Sequence, residues 1–246
     1  MLSSKQVVTS AVRGITRTLC HVHDAELTKV PQTGPFILTT NHVNFLEVPV
    51  LYSHLQPRRI TTLAKAETWN NPLMGYLFNM AQGIPVHRGE FDITAVRKAL
   101  AVLQGGDILG IAPEGTRSNH GRLQRGKPGI VLLATKTKAP LLPLVFYGGE
   151  QYRRRWTHLR RTDFHIVVGQ PFSVRTDPGP VSAETRQQIA DEIMYQLAAL
   201  LPPEYRGVYA DLSQATECYL HFEPPATSNL LRTGGVRTGP STGIAA

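Results

Sequence analysis

Short apolar segments alternate with amphipathic segments along most of the chain, and this alternation limits the fold more than any other feature. The apolar runs predict buried strands at 36–40, 59–64, 84–87, 108–112, 141–146 and 164–168. Helical patterns lie between them, near 45–55, 72–80, 92–103, 129–137 and 183–201. We therefore expect an α/β domain in layers, with a mostly buried mixed or parallel sheet flanked by helices.

The two ends of the chain differ from this pattern. Residues 1–23 contain no acidic side chain and repeat apolar residues at helical spacing, which predicts a basic amphipathic helix in addition to the layered domain. Three interpretations of this helix stay open, namely packing on the core, anchoring at a membrane interface and a targeting segment. We assign the α/β domain to 24–203, a C-terminal extension to 204–222 and a flexible tail, rich in Pro, Gly, Ser and Thr, to 223–246.

The charge balance favours a negatively charged partner. The chain has 26 Lys and Arg against 18 Asp and Glu, a net charge of +8, which suits a phospholipid surface, nucleic acid, a phosphorylated substrate or an acidic carrier protein. The densest basic patch is 153–156 with 160–161. Cys20 and Cys218 are too far apart for metal-ligand spacing, so neither a disulfide framework nor a zinc site is supported. No apolar run reaches the length of a membrane-spanning helix.

His42 and Glu47 form the first candidate for chemistry. A hydroxyl nucleophile needs a neutral imidazole to take its proton and a carboxylate to orient that imidazole. A histidine followed five positions later by an acid occurs four times here, so spacing alone does not select one pair. Five positions along a continuous helix separate two side chains by about 140°, so such a pair meets only when the histidine precedes the helix.

Only His42 satisfies that condition well, because it follows a predicted strand directly and Asn44 is a natural N-cap for the next helix. A structural interpretation is equally open. Asn44 and Glu47 are three residues apart, so Glu47 could simply complete a capping box.

A second block, Pro113-Glu114-Gly115-Thr116-Arg117-Ser118, follows the strand predicted at 108–112. Glycine permits close backbone approach, a hydroxyl donates a hydrogen bond and a guanidinium offers two fixed donors, a set that suits a phosphate group. Taken alone, the block is better explained as a turn with a surface arginine.

These blocks occur together with Gly83–Arg88 and with the strand segment Leu142-Pro143-Leu144. In this order they resemble the glycerophospholipid acyltransferase family, the 1-acylglycerol-3-phosphate acyltransferases and their relatives. The resemblance covers roughly 30–172, and the intact Pro-Glu-Gly-Thr-Arg-Ser block makes it specific.

The resemblance implies a role for each matching residue. His42 would be the general base on the acceptor hydroxyl, and Glu47 would orient it. The remaining predicted residues would bind or shape the pocket for the acceptor phosphate: Lys65, Arg88, Glu114, Gly115, Thr116 and Arg117. The family uses acyl-CoA or acyl carrier protein as donor, with no metal, no cofactor and no covalent acyl-enzyme. The resemblance also implies a cytoplasmic enzyme that is peripheral on the membrane.

The sequence departs from the commonest family pattern by carrying Glu47 in place of aspartate. Related lipid A acyltransferases often have glutamate there, so the departure affects the acceptor more than the reaction. We expect acylation of 1-acylglycerol 3-phosphate to phosphatidic acid, with another lysophospholipid or glycolipid acceptor as the alternative. The rival from another class is a non-catalytic basic module that binds lipid or nucleic acid. Because no aromatic pattern typical of RNA readers is present, we expect no nucleic-acid partner.

Overall fold

A seven-stranded sheet forms the centre of the computed structural model, which describes residues 4–86 and 92–233. Its strand order is β1-β7-β6-β2-β5-β3-β4, and all neighbours are parallel except β6 and β7. The strands are β1 (Cys20–His23), β2 (Phe36–Thr40), β3 (Ile60–Lys65), β4 (Ile84–Val86), β5 (Ile108–Ile111), β6 (Leu141–Tyr147) and β7 (Thr162–Val168). A separate antiparallel pair joins β8 (Ser173–Val174) to β9 (Leu220–His221).

Helices cover both faces of this sheet. They are α1 (Ser4–Leu19), α2 (Glu47–His54), α3 (Pro72–Met80), α4 (Ile93–Gln104), α5 (Gly129–Thr137), α6 (Tyr152–Thr157) and α7 (Ala183–Ala198). On β2, Leu38 belongs to the core cluster that includes α2, whereas Ile37 belongs to the cluster that includes α4, α5 and α7. All five residues of β2 are buried, as expected for a strand covered on both faces. The predicted α/β layered fold is confirmed.

The predicted N-terminal helix is present, but its boundary needs correction. The helix ends at Leu19, and residues 20–23 form β1, which pairs with β7 from Cys20 opposite Thr162 to His23 opposite His165. Pairing with a distant strand satisfies the backbone groups of these residues, so tertiary contact overrides the helical pattern. The helix packs against α2, and its residue Thr16 is buried.

The extension and the start of the tail pack against the domain. Three short 3-10 turns, at Pro203–Tyr205, Gly207–Tyr209 and Leu212–Gln214, follow α7. Asn229 is fully buried and bonds to Gln196 of α7, at 3.0 Å from its amide nitrogen to Gln196 Oε1. The tail predicted to be flexible from residue 223 therefore begins with a packed segment, because Asn229 finds hydrogen-bond partners in the core.

The basic patch at 153–161 is also tied to the domain. Trp156 donates from its indole nitrogen to the Leu19 carbonyl at 3.1 Å and packs edge-on against Tyr152, with ring centroids 4.9 Å apart. Arg161 donates to the Cys20 carbonyl at 2.8 Å. These contacts fix α6 against the junction of α1 and β1. Among the helices in the described ranges, none combines the length and the apolar character that a bilayer crossing requires.

Candidate active site

His42 lies on the loop that leaves the central strand β2. Just before it, the buried Asn41 side chain fixes the direction of this loop through two hydrogen bonds to Phe146 of β6. The Asn41 amide donates to the Phe146 carbonyl at 2.8 Å, and its oxygen accepts from the Phe146 N–H at 2.8 Å. The carboxyl ends of neighbouring parallel strands lie at the same edge of a sheet, where ligands usually bind in open α/β folds.

The structure brings His42 and Glu47 into direct contact. Nδ1 of His42 lies 2.6 Å from Oε2 of Glu47, and Glu47 is the first residue of α2, so the histidine precedes the helix as the spacing argument requires. A carboxylate facing Nδ1 keeps the proton on that nitrogen and leaves Nε2 with a free lone pair. Nε2 of His42 makes no hydrogen bond to any group in the described ranges. The pair therefore has the geometry of a general base and its orienting acid.

Glu47 also has the structural role that the sequence left open. Its second oxygen, Oε1, accepts from the backbone N–H groups of Val43 at 2.8 Å and of Asn44 at 2.6 Å. The prediction of Asn44 as N-cap is wrong, because α2 begins at Glu47 with Leu46 as its N-cap residue. The Asn44 side chain instead accepts from the N–H of Leu46 at 2.8 Å, which orders the loop before the helix. One buried carboxylate thus holds both the loop and the imidazole, and the two interpretations of Glu47 are compatible.

Glu114 faces the same loop from the other side. Its Oε1 accepts from the backbone N–H of His42 at 2.7 Å, and its Oε2 accepts from the N–H of Gln124 at 2.9 Å. Burial raises the pKa of Glu114 to about 7, against the lowering effect of these two N–H donors. The residue predicted to shape the phosphate pocket is only 2% exposed, and its carboxylate supports the backbone of the proposed base.

Two further bonds join the loops after β2 and β5. The N–H of Ser118 donates to the His42 carbonyl at 2.8 Å, and the N–H of Asn119 donates to the Val43 carbonyl at 2.9 Å. Together with the hydrogen bonds of Glu114, these two bonds hold the histidine loop against residues 113–119, which contain the Pro113–Ser118 block.

A recess of about 380 Å³ opens beside the pair and contains cationic side chains. Its lining includes His42, Glu47, Lys65, Gly115 and Lys127. Lys65 ends β3 and pairs with Glu67 at 3.0 Å. Lys127 lies over Gly115, where a Cβ added to the glycine would be 3.3 Å from the ammonium nitrogen, and no carboxylate of the described ranges pairs with Lys127. We refer to this cavity as the His42 recess.

The other predicted phosphate-binding residues are placed differently. Thr116 and Arg117 are exposed, and neither is part of the lining of the His42 recess. Gly115 has φ of +67°, a conformation that glycine adopts readily, and it lies at the surface of the recess. Arg88 lies outside the described residues. No cluster of three or more metal-ligating side chains occurs in the part of the chain that the structure describes.

The sequence analysis did not identify Lys127, nor the hydrogen bonds by which Glu114 holds the backbone of the histidine loop. The only sequence signal for Lys127 is its position just before α5, in the loop that also carries the Pro113–Ser118 block. An adjoining recess of about 270 Å³ shares part of its lining with the His42 recess, including Gly115 and Lys127, and apart from Asp92 and Lys127 it is mainly apolar. Its apolar walls come from β5, α4 and α5, and include Ala95, Val96, Ala99, Ile111, Ile130 and Leu133. A base, two lysines and an apolar extension thus share one edge of the sheet.

Comparison with known proteins gives concordant matches. The family model described as Acyltransferase matches residues 21–147, slightly more than half of the chain. The 1-acyl-sn-glycerol-3-phosphate acyltransferase of Bacillus subtilis is 26% identical over 143 residues, covering 58% of this chain and 69% of that protein. The enzyme of the same name from Cocos nucifera is 30% identical over 151 residues, covering 60% of this chain and 44% of that protein.

Two further similarities concern another substrate and the fold. A lyso-ornithine lipid O-acyltransferase of Pseudomonas aeruginosa is 37% identical over 97 residues, 36% of this chain and 36% of that protein. The crystal structure of the 1-acyl-sn-glycerophosphate acyltransferase of Thermotoga maritima matches with a TM-score of 0.54 and 20% identity, covering 77% of this chain and 78% of that chain. At this identity, the structural match supports the fold alone. The chain spans less than half the length of several curated relatives that it matches.

Proposed function

The chain belongs to the Acyltransferase family, as its motifs predicted, and we propose that its acceptor is 1-acylglycerol 3-phosphate and its product phosphatidic acid. The names of the Bacillus and Cocos relatives support this acceptor. The observation that carries the proposal is the 2.6 Å contact of His42 with Glu47 at a recess that also contains Lys65 and Lys127. The donor would be a fatty acyl thioester of coenzyme A or acyl carrier protein.

The geometry of the pair supports a reaction by proton transfer at His42. Nε2 of His42 takes the proton of the acceptor hydroxyl while the hydroxyl oxygen attacks the thioester carbonyl carbon. The new C–O bond forms, the C–S bond breaks, and the departing thiolate takes the proton from the imidazolium. Glu47 stabilises the imidazolium during this exchange, in the way that a buried carboxylate does in a catalytic triad. This sequence of steps needs neither a metal nor a cofactor.

The two lysines of the His42 recess would bind the acceptor phosphate. Lys65 ends β3 and Lys127 lies in the segment just before α5, and both line the recess that holds the base. An ammonium group is an effective point-charge ligand for phosphate. Arg117 and Arg88 stay in the proposal as phosphate ligands, as the family resemblance implies. The adjoining apolar recess would take an acyl chain.

A membrane surface is the proposed source of the acceptor. Leu73 and Tyr76 of α3 are 63% and 56% exposed, and Val7 and Ile15 of α1 are 52% and 58% exposed. These side chains would contact the apolar boundary of a bilayer, while the net charge of +8 favours anionic headgroups. We therefore propose a peripheral enzyme on the cytoplasmic side of the membrane.

A specific observation favours a second acceptor. The Pseudomonas relative named lyso-ornithine lipid O-acyltransferase has a higher local identity, 37%, than the Bacillus and Cocos relatives, although over a shorter segment. The chemistry at His42 would be the same, and only the headgroup contacts at the recess would differ.

The test incubates the purified protein with labelled acyl-CoA or acyl carrier protein and three acceptors: 1-acylglycerol 3-phosphate, lysophosphatidylcholine and lyso-ornithine lipid. We expect phosphatidic acid as the main product and a loss of about 10²–10⁴-fold in His42→Ala. His158→Ala is the matched control, because His158 is an exposed histidine on α6's C-terminal side. Unchanged turnover in a folded His42→Ala variant would contradict the mechanism, and a preference for lyso-ornithine lipid would select the second acceptor.

A further inference from the structure

A second basic recess lies away from the candidate active site. It has a volume of about 340 Å³ and lies between α1, the 3-10 turn Ala25–Lys29 and the C-terminal end of α2. Arg13 and Arg17 of α1 line it together with Arg58, which follows α2. None of its lining residues belongs to the His42 recess. We refer to it as the arginine recess.

Asp24, a carboxylate in the lining of the arginine recess, already has hydrogen-bond partners within the protein. Asp24 lies 2.7 Å from Nδ1 of the buried His54 and 3.3 Å from Nη2 of Arg17. Burial raises the pKa of Asp24, but the hydrogen bonds from His54 and Arg17 outweigh that effect and hold the pKa below its usual value. Burial lowers the pKa of His54 and, with the nearby charges of Arg13 and Arg17, outweighs the raising effect of Asp24. The arginine recess thus has three guanidinium groups and one carboxylate in its lining, which leaves an excess of positive charge.

Two of the arginines have hydrogen-bonding capacity that the described protein groups leave unused. The Nε atoms of Arg13 and Arg58 are shielded from solvent and have no hydrogen-bond partner in the described ranges. Arg58 donates to the Gly34 carbonyl at 2.6 Å through Nη2, which fixes the guanidinium in place. An unpaired buried donor is unfavourable, and a charged one more so, because it has lost its contact with water. An anion in the recess would compensate the excess positive charge of the guanidinium groups that line it.

We propose that the arginine recess is a second phosphate-binding site, separate from the acceptor pocket. Guanidinium groups bind the oxygens of phosphate in a planar, two-donor arrangement, and three of them converge here. The phosphate belongs either to an anionic phospholipid headgroup or to a free phosphate. This inference does not depend on the identity of the acyl acceptor.

The experiment compares two triple variants of the full chain, both carrying Lys127→Gln to weaken phosphate binding in the His42 recess. The test variant is Arg13→Gln with Arg58→Gln. The control is Arg97→Gln with Lys98→Gln, which removes the same charge from exposed positions of α4. One arm measures binding to vesicles of phosphatidylcholine with and without phosphatidylglycerol. The other measures the rise of the melting temperature with inorganic phosphate, against sodium chloride at the same ionic strength.

We expect the test variant to bind phosphatidylglycerol vesicles more weakly by about fivefold per arginine, and more weakly than the control. A loss in the vesicle arm alone identifies a headgroup, a loss of the phosphate-dependent melting shift alone identifies free phosphate, and a loss in both shows that the recess takes either. Equal behaviour of test and control in both arms overturns the proposal. If the triple variant does not fold, Arg13→Gln with Lys127→Gln replaces it, since Nε of Arg13 has no hydrogen-bond partner to lose within the described residues.

Discussion

Replacing the buried Glu114 by glutamine tests how the loop that carries His42 is held in place. The wild-type carboxylate accepts one backbone N–H with each oxygen, from His42 at 2.7 Å and from Gln124 at 2.9 Å. Glutamine has the same shape, but only one of its two terminal groups is an acceptor. One of the two N–H groups would therefore face an NH₂ group and lose its partner.

The size of the effect depends on pH in a way that the structure defines. An unpaired buried N–H costs about 1–3 kcal/mol at any pH. Burial raises the pKa of Glu114 from 4.5 to about 7, so the folded wild type binds a proton more tightly than the unfolded chain does. The resulting stability is fully present below about pH 4.5 and is lost as the pH rises through 7. Between about pH 5 and pH 8 the free energy of unfolding of the wild type falls by roughly 2–3 kcal/mol through this group. The Glu114→Gln variant shows no such fall, because glutamine does not titrate.

The assay is urea unfolding of both proteins at about pH 5 and pH 8. We expect the wild type to be the more stable protein at the lower pH and its advantage to shrink by roughly 2–3 kcal/mol at the higher pH. Taking the difference between the two proteins removes the contributions of other titrating groups, among them Asp24 and Glu26, whose pKa values are lowered. Glu204→Gln, at an exposed position, is the control for removal of one charge.

A second readout is the rate of acyl transfer. A displaced His42 backbone moves the imidazole, and a misplacement of about 1 Å costs on the order of 10²-fold in rate. A stability difference that stays constant between the two pH values would refute the assignment of a raised pKa to Glu114. An unchanged transfer rate in the folded variant would refute its role in positioning His42.

Three further outcomes follow from single contacts. Glu47→Gln removes the charge that stabilises the imidazolium of His42, and we expect kcat to fall by about 10³–10⁴-fold in a thioester-consumption assay while the circular dichroism spectrum is kept. Gly207→Ala would place a methyl group on the Leu123 carbonyl oxygen at a φ of +55°, so thermal unfolding should show a loss of more than about 2 kcal/mol. Deleting residues from 223 onward removes the buried Asn229 and should lower the melting temperature, whereas deletion from 234 is the control.

The sequence allowed the layered fold and the contact between His42 and Glu47 to be predicted because both depend on local patterns. Apolar runs define strands that are buried on both faces, and β2 is such a strand in the structure. A histidine directly after a strand and an acid in the first turn of the next helix can meet without knowledge of distant residues. Their 2.6 Å contact follows from that local arrangement.

What the sequence did not reveal depends on contacts between distant segments. The direction of the Glu114 side chain is set by His42 and Gln124, which lie 72 and 10 residues away along the chain. Lys127 reaches the recess only because the segment between β5 and α5 folds back over Gly115. Residues 20–23 form a strand because β7, about 140 residues later, offers them a partner. No local propensity carries this information.

The order of the strands explains why the separate motifs act at one place. β2 lies between β5 and β6, parallel to both, so the segments that leave β2 and β5 start side by side at the same edge of the sheet. Ser118 and Asn119 can then bond directly to the backbone of His42 and Val43. Because these bonds and that of Glu114 all end on the histidine loop, the loop after β5 supports the position of the proposed base as well as lining the recess. A change in the Pro113–Ser118 block should therefore alter the rate of proton transfer at His42 in addition to the affinity for the acceptor.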